Sequence, residues 1–390
     1  MNTSRTAEQL QFAISDVQAW ATSFPVPEGS SVRLAVGRAL KRDAVVVKVT
    51  TACGLVGWGE SHHGRAHSSI AHLINHALRP LVMGRDATDV QGAWQRIYQA
   101  QLAAMGTGTA CVLAMSGIDM ALWDIRAKAV GWPLYRLLGG ARKALPAYAG
   151  GVALGWQAPA ALAEEALSHV EAGYRAVKLR LGDTVQNDIA RAEAVRQALG
   201  DDIVILADVN TAYNMDDARS AIPALDALRI GWLEEPFTPH DTRSYRQARA
   251  LGHIPFAAGE NHYTRFEFAR LIDEGVVSIL QPDISKTGGI TETLRIAAMA
   301  SAHKIAVHPH SSMTGINMAA TLHVLAAIDG NGYFEADVSR GNLFRDGLVS
   351  TPFTVNAQGC VQPSEAPGIG VEVDEDFLRG HPAIEGPAYA

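Results

Sequence analysis

The sequence predicts an α/β protein in which a parallel β/α barrel follows an α+β unit. Three observations carry that expectation. From Leu145 onward, short apolar strands alternate with helical runs, the texture of a closed barrel of β/α units. Acidic residues end three successive strand candidates at a constant interval: Asp208 and Glu234 are 26 residues apart, as are Glu234 and Glu260. The residues before Leu145 have a different pattern, an antiparallel meander followed by helices. A doubly wound open sheet is the competing fold. It would announce its ligand site with a glycine-rich turn after a strand, and the cluster Gly106-Thr107-Gly108 has no strand directly before it.

The first strand is expected over Phe12–Thr22, which alternates loosely. The second is expected over Asp43–Thr51, with Val45, Val46, Val47 and Val49. Cys53-Gly54 turns into a third strand, Leu55–Glu60. Between the first two lies an irregular stretch from Phe24 to Ser31, of the kind that serves as a lid. Met115–Lys128 reads as a helix with Ile118, Ala121, Leu122 and Ile125 on one face; Gly131 and Pro133 end it.

Eight barrel strands are expected at Ala147–Val152, Ala176–Leu181, Ile203–Val209, Gly231–Glu235, Phe256–Gly259, Val277–Gln281, Ile305–His308 and Tyr333–Val338. Helices fall at Ala160–Ala172, Asn187–Ala198 and Ile290–His303, among others. No clear helix follows the eighth strand. The tail is rich in Gly and Pro and is expected to pack back on the first unit. The expected division is a capping unit over 1–140, a barrel over 141–355 and a completing tail over 356–390.

Composition excludes several classes. The net charge of −7 argues against nucleic acid as the main partner, because phosphate binding needs a basic surface. Three cysteines without a CxxC argue against a disulfide framework or structural zinc and fit a reducing cytoplasm. Residues 1–20 carry Arg5, Glu8 and Asp16 and no continuous apolar run, so no secretory signal is expected. No transmembrane helix is expected either.

The polar residues at strand ends carry the functional reading. Barrel enzymes place their chemistry at the carboxyl ends of strands. Three converging carboxylates need a cation, and hard oxygen ligands suit Mg²⁺. Asp208, Glu234 and Glu260 are therefore expected at one height as a metal site. The strand before them ends in Lys178 and Arg180, which share one face at positions i and i+2. Later strands offer Asp283, His310 and Glu335. An Asp beside a His fixes its tautomer and raises its basicity, which suits general base work. His308 lies two residues before His310 and shares its face.

These pieces together resemble the enolase superfamily, and within it the mandelate racemase branch. The matching motifs are Lys178-Leu-Arg180, Asp208-Val-Asn210, Trp232-Leu-Glu-Glu-Pro236, Gly259-Glu-Asn261, Gln281-Pro-Asp283 with Gly288-Gly289, then His310 and Glu335. Earlier, Gly57-Trp-Gly-Glu60 and Ser116–Asp124 match the capping-domain pattern. The resemblance implies a modified (β/α)₇β barrel, which accounts for the missing eighth helix. It also implies Mg²⁺ on Asp208, Glu234 and Glu260, and a His310–Asp283 dyad. Glu335 is implied to hydrogen-bond the substrate carboxylate, protonated so that it can donate. The shared chemistry is removal of the proton α to a carboxylate, with Lys178 and Mg²⁺ stabilising the enediolate. Arg180, Asn210 and His308 are expected to contact substrate.

One departure from the branch's pattern bears on the reaction. The second lysine of a Lys-x-Lys pair is replaced by Arg180, and guanidinium is a poor base. His310 then stands alone as proton-transfer group, which favours dehydration of a sugar acid to a 2-keto-3-deoxy acid. Racemisation, epimerisation or cycloisomerisation is the alternative, and a non-catalytic sugar-acid binder is the reading from another class. A homo-oligomer is expected, with no membrane partner. His62-His63-Gly-Arg65-Ala-His67 reads as a polar loop at the site's mouth rather than a metal cluster. Trp156, His262 and Arg265 are further pocket candidates.

Overall fold

A computed structural model describes residues 11–27, 29–106, 108–311, 313–330 and 332–390. Part of the signal-peptide expectation rests on residues 1–10, which lie outside the described residues. So do Glu28 of the irregular loop and Thr107 of the glycine cluster.

The N-terminal sheet has three antiparallel strands, Ile14–Pro25, Lys41–Thr51 and Val56–Ser61, with the second in the centre. Seven consecutive buried residues, Lys41–Val47, reflect that central place. The helix Thr109–Ala129 lies on the third strand. Glycines permit the close approach: a Cβ on Gly59 would stand 2.1 Å from the carbonyl oxygen of Gly117. The one-faced stripe expected for this helix is an underestimate. Fifteen of its residues are buried, because it is covered by the sheet on one side and other helices elsewhere. Phe344, Leu348, Val349, Ile369, Val371 and Leu378 complete this core, so the tail packs back on the N-terminal unit.

The barrel strands follow in chain order. Seven parallel strands run from Leu145–Gly150 to Ala306–Val307, and the eighth, Phe334–Asp337, pairs with the first. Among the described residues, seven helices of seven or more residues follow the first seven strands. The eighth is followed, among the described residues, by two short helices, the one-turn Leu343–Asp346 and, in the tail, Glu375–Gly380. Odd and even strand residues separate as a pleat requires: Val177 and Leu179 enter the core under the helices, while Lys178 and Arg180 point inward. Inside the barrel, Tyr148, Ala176, Leu206, Trp232, Ala257 and Ile279 form a lower apolar layer. The charged residues stand above it, at the carboxyl ends.

No backbone ladder joins the seventh and eighth strands among the described residues. Side chains close that seam instead. The backbone N–H of Tyr333 donates to His308 Nδ1 at 2.7 Å, and the Ser311 hydroxyl donates to the Glu335 carbonyl at 3.1 Å. No described helix is long and apolar enough to cross a membrane.

Candidate active site

A cavity of about 270 Å³ opens at the carboxyl ends of the strands. Arg180, Asn210, Glu235, Glu260, Asn261, Lys286 and His310 line it from the barrel; His62, His63, Arg65 and Tyr389 line it from the capping side. Lys178, Asp208, Glu234, Asp283 and Glu335 lie beneath this lining, each at most 1% exposed.

Asp208 and Glu234 are register partners on adjacent strands, as the constant spacing implies. Glu260 breaks the pattern. Glu234 pairs with Ala257, so Glu260 lies three residues past the level of the other two. Equal sequence spacing does not give equal height here, because the fifth strand ends at Ala258 and the chain turns before the acid. Gly259 makes that turn at φ +151, hard against the backbone of Gln281, a position no side chain fits.

Each acid faces a cation of the chain. Lys178 Nζ lies 3.0 Å from Glu234, 3.0 Å from Glu335 and 3.7 Å from Asp208. Arg180 pairs with Asp208 and donates twice to the carbonyl of Gly151, at 2.6 and 3.2 Å. Glu260 takes His310 Nε2 at 2.8 Å, with Lys286 at 3.8 Å. Burial opposes the charge on Lys178, but Glu234 and Glu335 outweigh it and hold its pKa well above the ordinary value. Burial likewise opposes charge on Arg180, and Asp208 and Glu335 reverse the balance. Neither group is disposed to give up a proton.

Among the described residues, no three acidic or histidine side chains converge on one point. The donor set nonetheless fits a hard cation. Six carboxyl groups, of Asp208, Glu234, Glu235, Glu260, Asp283 and Glu335, crowd around three permanent cations, Lys178, Arg180 and Lys286. Glu235 Oε1 and Asn210 Oδ1 are buried acceptors with no donor among the described residues. Oxygen-rich, electron-rich surroundings of this kind suit Mg²⁺ rather than a softer metal.

The His310–Asp283 pair is tightly built. His310 Nδ1 stands 2.7 Å from Asp283 Oδ2. The other oxygen of Asp283 accepts from the N–H and hydroxyl of Ser285, at 2.8 and 2.7 Å, and from Asn317 at 3.1 Å. Facing a fastened carboxylate, Nδ1 carries a hydrogen; Nε2, on the cavity side, holds a second one against Glu260 Oε2 at 2.8 Å. Burial pulls the pKa of His310 down, while Glu260, Glu335 and Asp283 carry it well above the usual value.

Two expected substrate contacts are corrected. Glu335 does not line the cavity. Its Oε1 takes the N–H of Gly151 at 3.1 Å as well as Lys178, and its Oε2 takes the N–H of Ser311 at 3.2 Å. Burial favours its neutral form, but Lys178, His310 and Arg180 hold its pKa down to about 2. Glu335 is thus a carboxylate, not the hydrogen donor expected. His308 also lies elsewhere. It is in the seam described above, its ring 5.2 Å from Trp232 in the lower layer, and burial presses its pKa down to about 4. A period of two along a strand gives the same face but not the same depth. Arg180 and Asn210 do line the cavity; Asn210 sits at φ +48 with its side-chain amide 3.3 Å from Asp208.

The other pocket candidates hold the frame. Trp156 donates to the Leu181 carbonyl, His262 packs on Phe268, and Arg265 pairs with Glu292. Residues not singled out in the sequence are Lys286, Glu235, Asn261 and Tyr389. The first three lie within or beside the quoted motifs, so their placement was available; Tyr389 is the penultimate residue and gives no such signal.

Two family models match the chain. One is described as mandelate racemase / muconate lactonizing enzyme, N-terminal domain, over residues 16–139, and the other as enolase C-terminal domain-like, over residues 161–377. D-galactonate dehydratase of Verminephrobacter eiseniae is 34% identical over 85% of this chain and 89% of its own. Arabinonate dehydratase of Saccharolobus solfataricus is 32% identical over 86% and 90%. Among solved structures, an enolase superfamily member from Polaromonas sp. JS666 superposes with a TM-score of 0.94 at 51% identity, covering 97% of this chain and 100% of that one. A racemase from Streptomyces coelicolor with bound magnesium gives 0.86 at 27% identity, covering 94% and 99%.

Proposed function

The chain belongs to the mandelate racemase and muconate lactonizing enzyme family of the enolase superfamily, and on that premise we propose that it is a Mg²⁺-dependent sugar-acid dehydratase giving a 2-keto-3-deoxy acid. The observation that carries the choice of reaction is the asymmetry of the cavity. On one side stands His310, oriented by Asp283 at 2.7 Å. On the second strand, where a second base would stand, Arg180 is fixed as a cation by Asp208. The dehydratases among the curated relatives support the same reading.

His310 Nε2, once it has released to solvent the proton it holds against Glu260, takes the proton from the carbon α to the carboxylate, with Asp283 holding Nδ1–H. Arg180 binds the carboxylate at the cavity wall, and Lys178 adds positive charge beneath it. Asp208, Glu234 and Glu260 would hold Mg²⁺, whose contribution there is further positive charge beside the same carboxylate. His310 then returns its proton to the hydroxyl on the β-carbon. That C–O bond breaks, water leaves, and the enol so formed tautomerises to the keto acid. The test is a screen of mono- and di-acid sugars with Mg²⁺, read by keto-acid formation. Racemisation or epimerisation needs a second proton-transfer group, and the fixed charge on Arg180 stands against it.

A further inference from the structure

His62 and Lys286 line the same cavity as His310 and are a pair of donors that the reaction as described does not use. His62 comes from the loop after the third capping strand. Its backbone N–H donates to the Ser285 carbonyl at 3.0 Å, which pins it to the loop carrying Lys286. Its ring Nδ1 accepts the backbone N–H of Gly64 at 3.1 Å. An acceptor Nδ1 on a neutral ring leaves the hydrogen on Nε2, so His62 offers a donor. Burial, with His63, Lys286 and His310 adding to it, keeps the ring neutral.

Lys286 is 5% exposed and brings three N–H donors to the same cavity. Among the described residues its ammonium has no hydrogen bond; Glu260, at 3.8 Å, is its nearest ion partner. A nearly buried ammonium without acceptors is costly unless a ligand supplies them. Its charge already faces Glu260, Asp283 and Glu235, so a second anion is not required. A hydroxyl oxygen meets both donors.

Resting on the proposed function, we infer that His62 and Lys286 form a two-donor site that holds a hydroxyl oxygen of the sugar acid beside His310 and so helps select the substrate. Histidine allows the roles of its two nitrogens to be separated. His62→Asn keeps an acceptor near the place of Nδ1 for Gly64 and loses the donor at Nε2, whereas His62→Gln keeps a donor near Nε2 and loses the acceptor. Steady-state kinetics are measured with D-galactonate, or with the panel acid that the wild type turns over fastest. The expected result is a KM raised at least tenfold in His62→Asn and in Lys286→Met, largely restored in His62→Gln, with unchanged unfolding midpoints. The reverse order, a normal KM in His62→Asn and a raised one in His62→Gln, would show a merely structural ring and overturn the site. A wild-type enzyme that turns over no sugar acid would overturn the underlying function and the site with it.

Discussion

Asp283 reaches His310 Nδ1 with one oxygen at 2.7 Å and is fastened by Ser285 and Asn317 through the other. The pair joins the ends of the sixth and seventh strands, so the barrel itself sets the angle of the imidazole. Replacing Asp283 with Asn removes the acceptor charge and permits the wrong tautomer. Exchange of the substrate α-proton with D₂O is expected to fall by about 10²–10⁴, the usual weight of a positioned base. Asn317→Ala should cost less, because Ser285 still holds the carboxylate. Proton NMR of substrate in D₂O measures both.

Lys178 is fully buried among Glu234, Glu335 and Asp208. Lys178→Met leaves those carboxylates without their shared cation. A loss of about 3–5 kcal/mol in unfolding free energy is expected, as for one partner removed from a buried pair. Activity should vanish as well. Urea denaturation with wild type and variant in parallel checks the first, and an unchanged midpoint would contradict the placement.

The cation site predicts graded losses. Asp208→Asn, Glu234→Gln and Glu260→Gln should each weaken Mg²⁺ binding by at least tenfold in isothermal titration, and chelation should stop turnover reversibly. Affinity unchanged from the wild type in all three variants would remove the metal from these acids.

His323 links acid stability to the joint between barrel and capping unit. Its Nδ1 accepts the N–H of Tyr135 at 3.0 Å, and Nε2 lies 3.1 Å from the Ile369 carbonyl. Burial pushes its pKa down to about 4. The folded state therefore holds the ring neutral where the unfolded chain would protonate it. That contribution is complete above about pH 6.5, shrinks as the pH falls toward 4, and is gone below it. Between pH 7.5 and pH 5, the wild type should lose about 2 kcal/mol more stability than His323→Gln. Denaturant titrations at the two pH values give the comparison.

Much of this was legible in the sequence because strand ends are chemically loud. The eight barrel strands appear within a few residues of where apolar runs and their terminal charges put them, and the absence of an eighth long helix was visible as a missing pattern. What periodicity could not supply was height and depth. Glu260 falls beyond the register of Asp208 and Glu234 because the chain turns at Gly259. His308 shares a face with His310 but lies in the layer of Trp232. The charge state of Glu335 depends on Lys178, His310 and Arg180 gathering around it, which three separate strands accomplish only in the folded barrel. Lys286 stood between two quoted motifs, but its unsatisfied donors are a property of the cavity.

The central claim is dehydration by a single base, and configuration at C2 tests it most directly. The enzyme is incubated with sugar acids and Mg²⁺ in D₂O; keto acid is quantified, and the remaining substrate is recovered for chiral chromatography. With Arg180 held as a cation by Asp208, the account predicts keto-acid product and recovered substrate that keeps its configuration at C2, with slower but His310-dependent exchange surviving in Arg180→Met. Rapid inversion at C2 without keto acid, abolished in Arg180→Met, would contradict it and make the enzyme an epimerase.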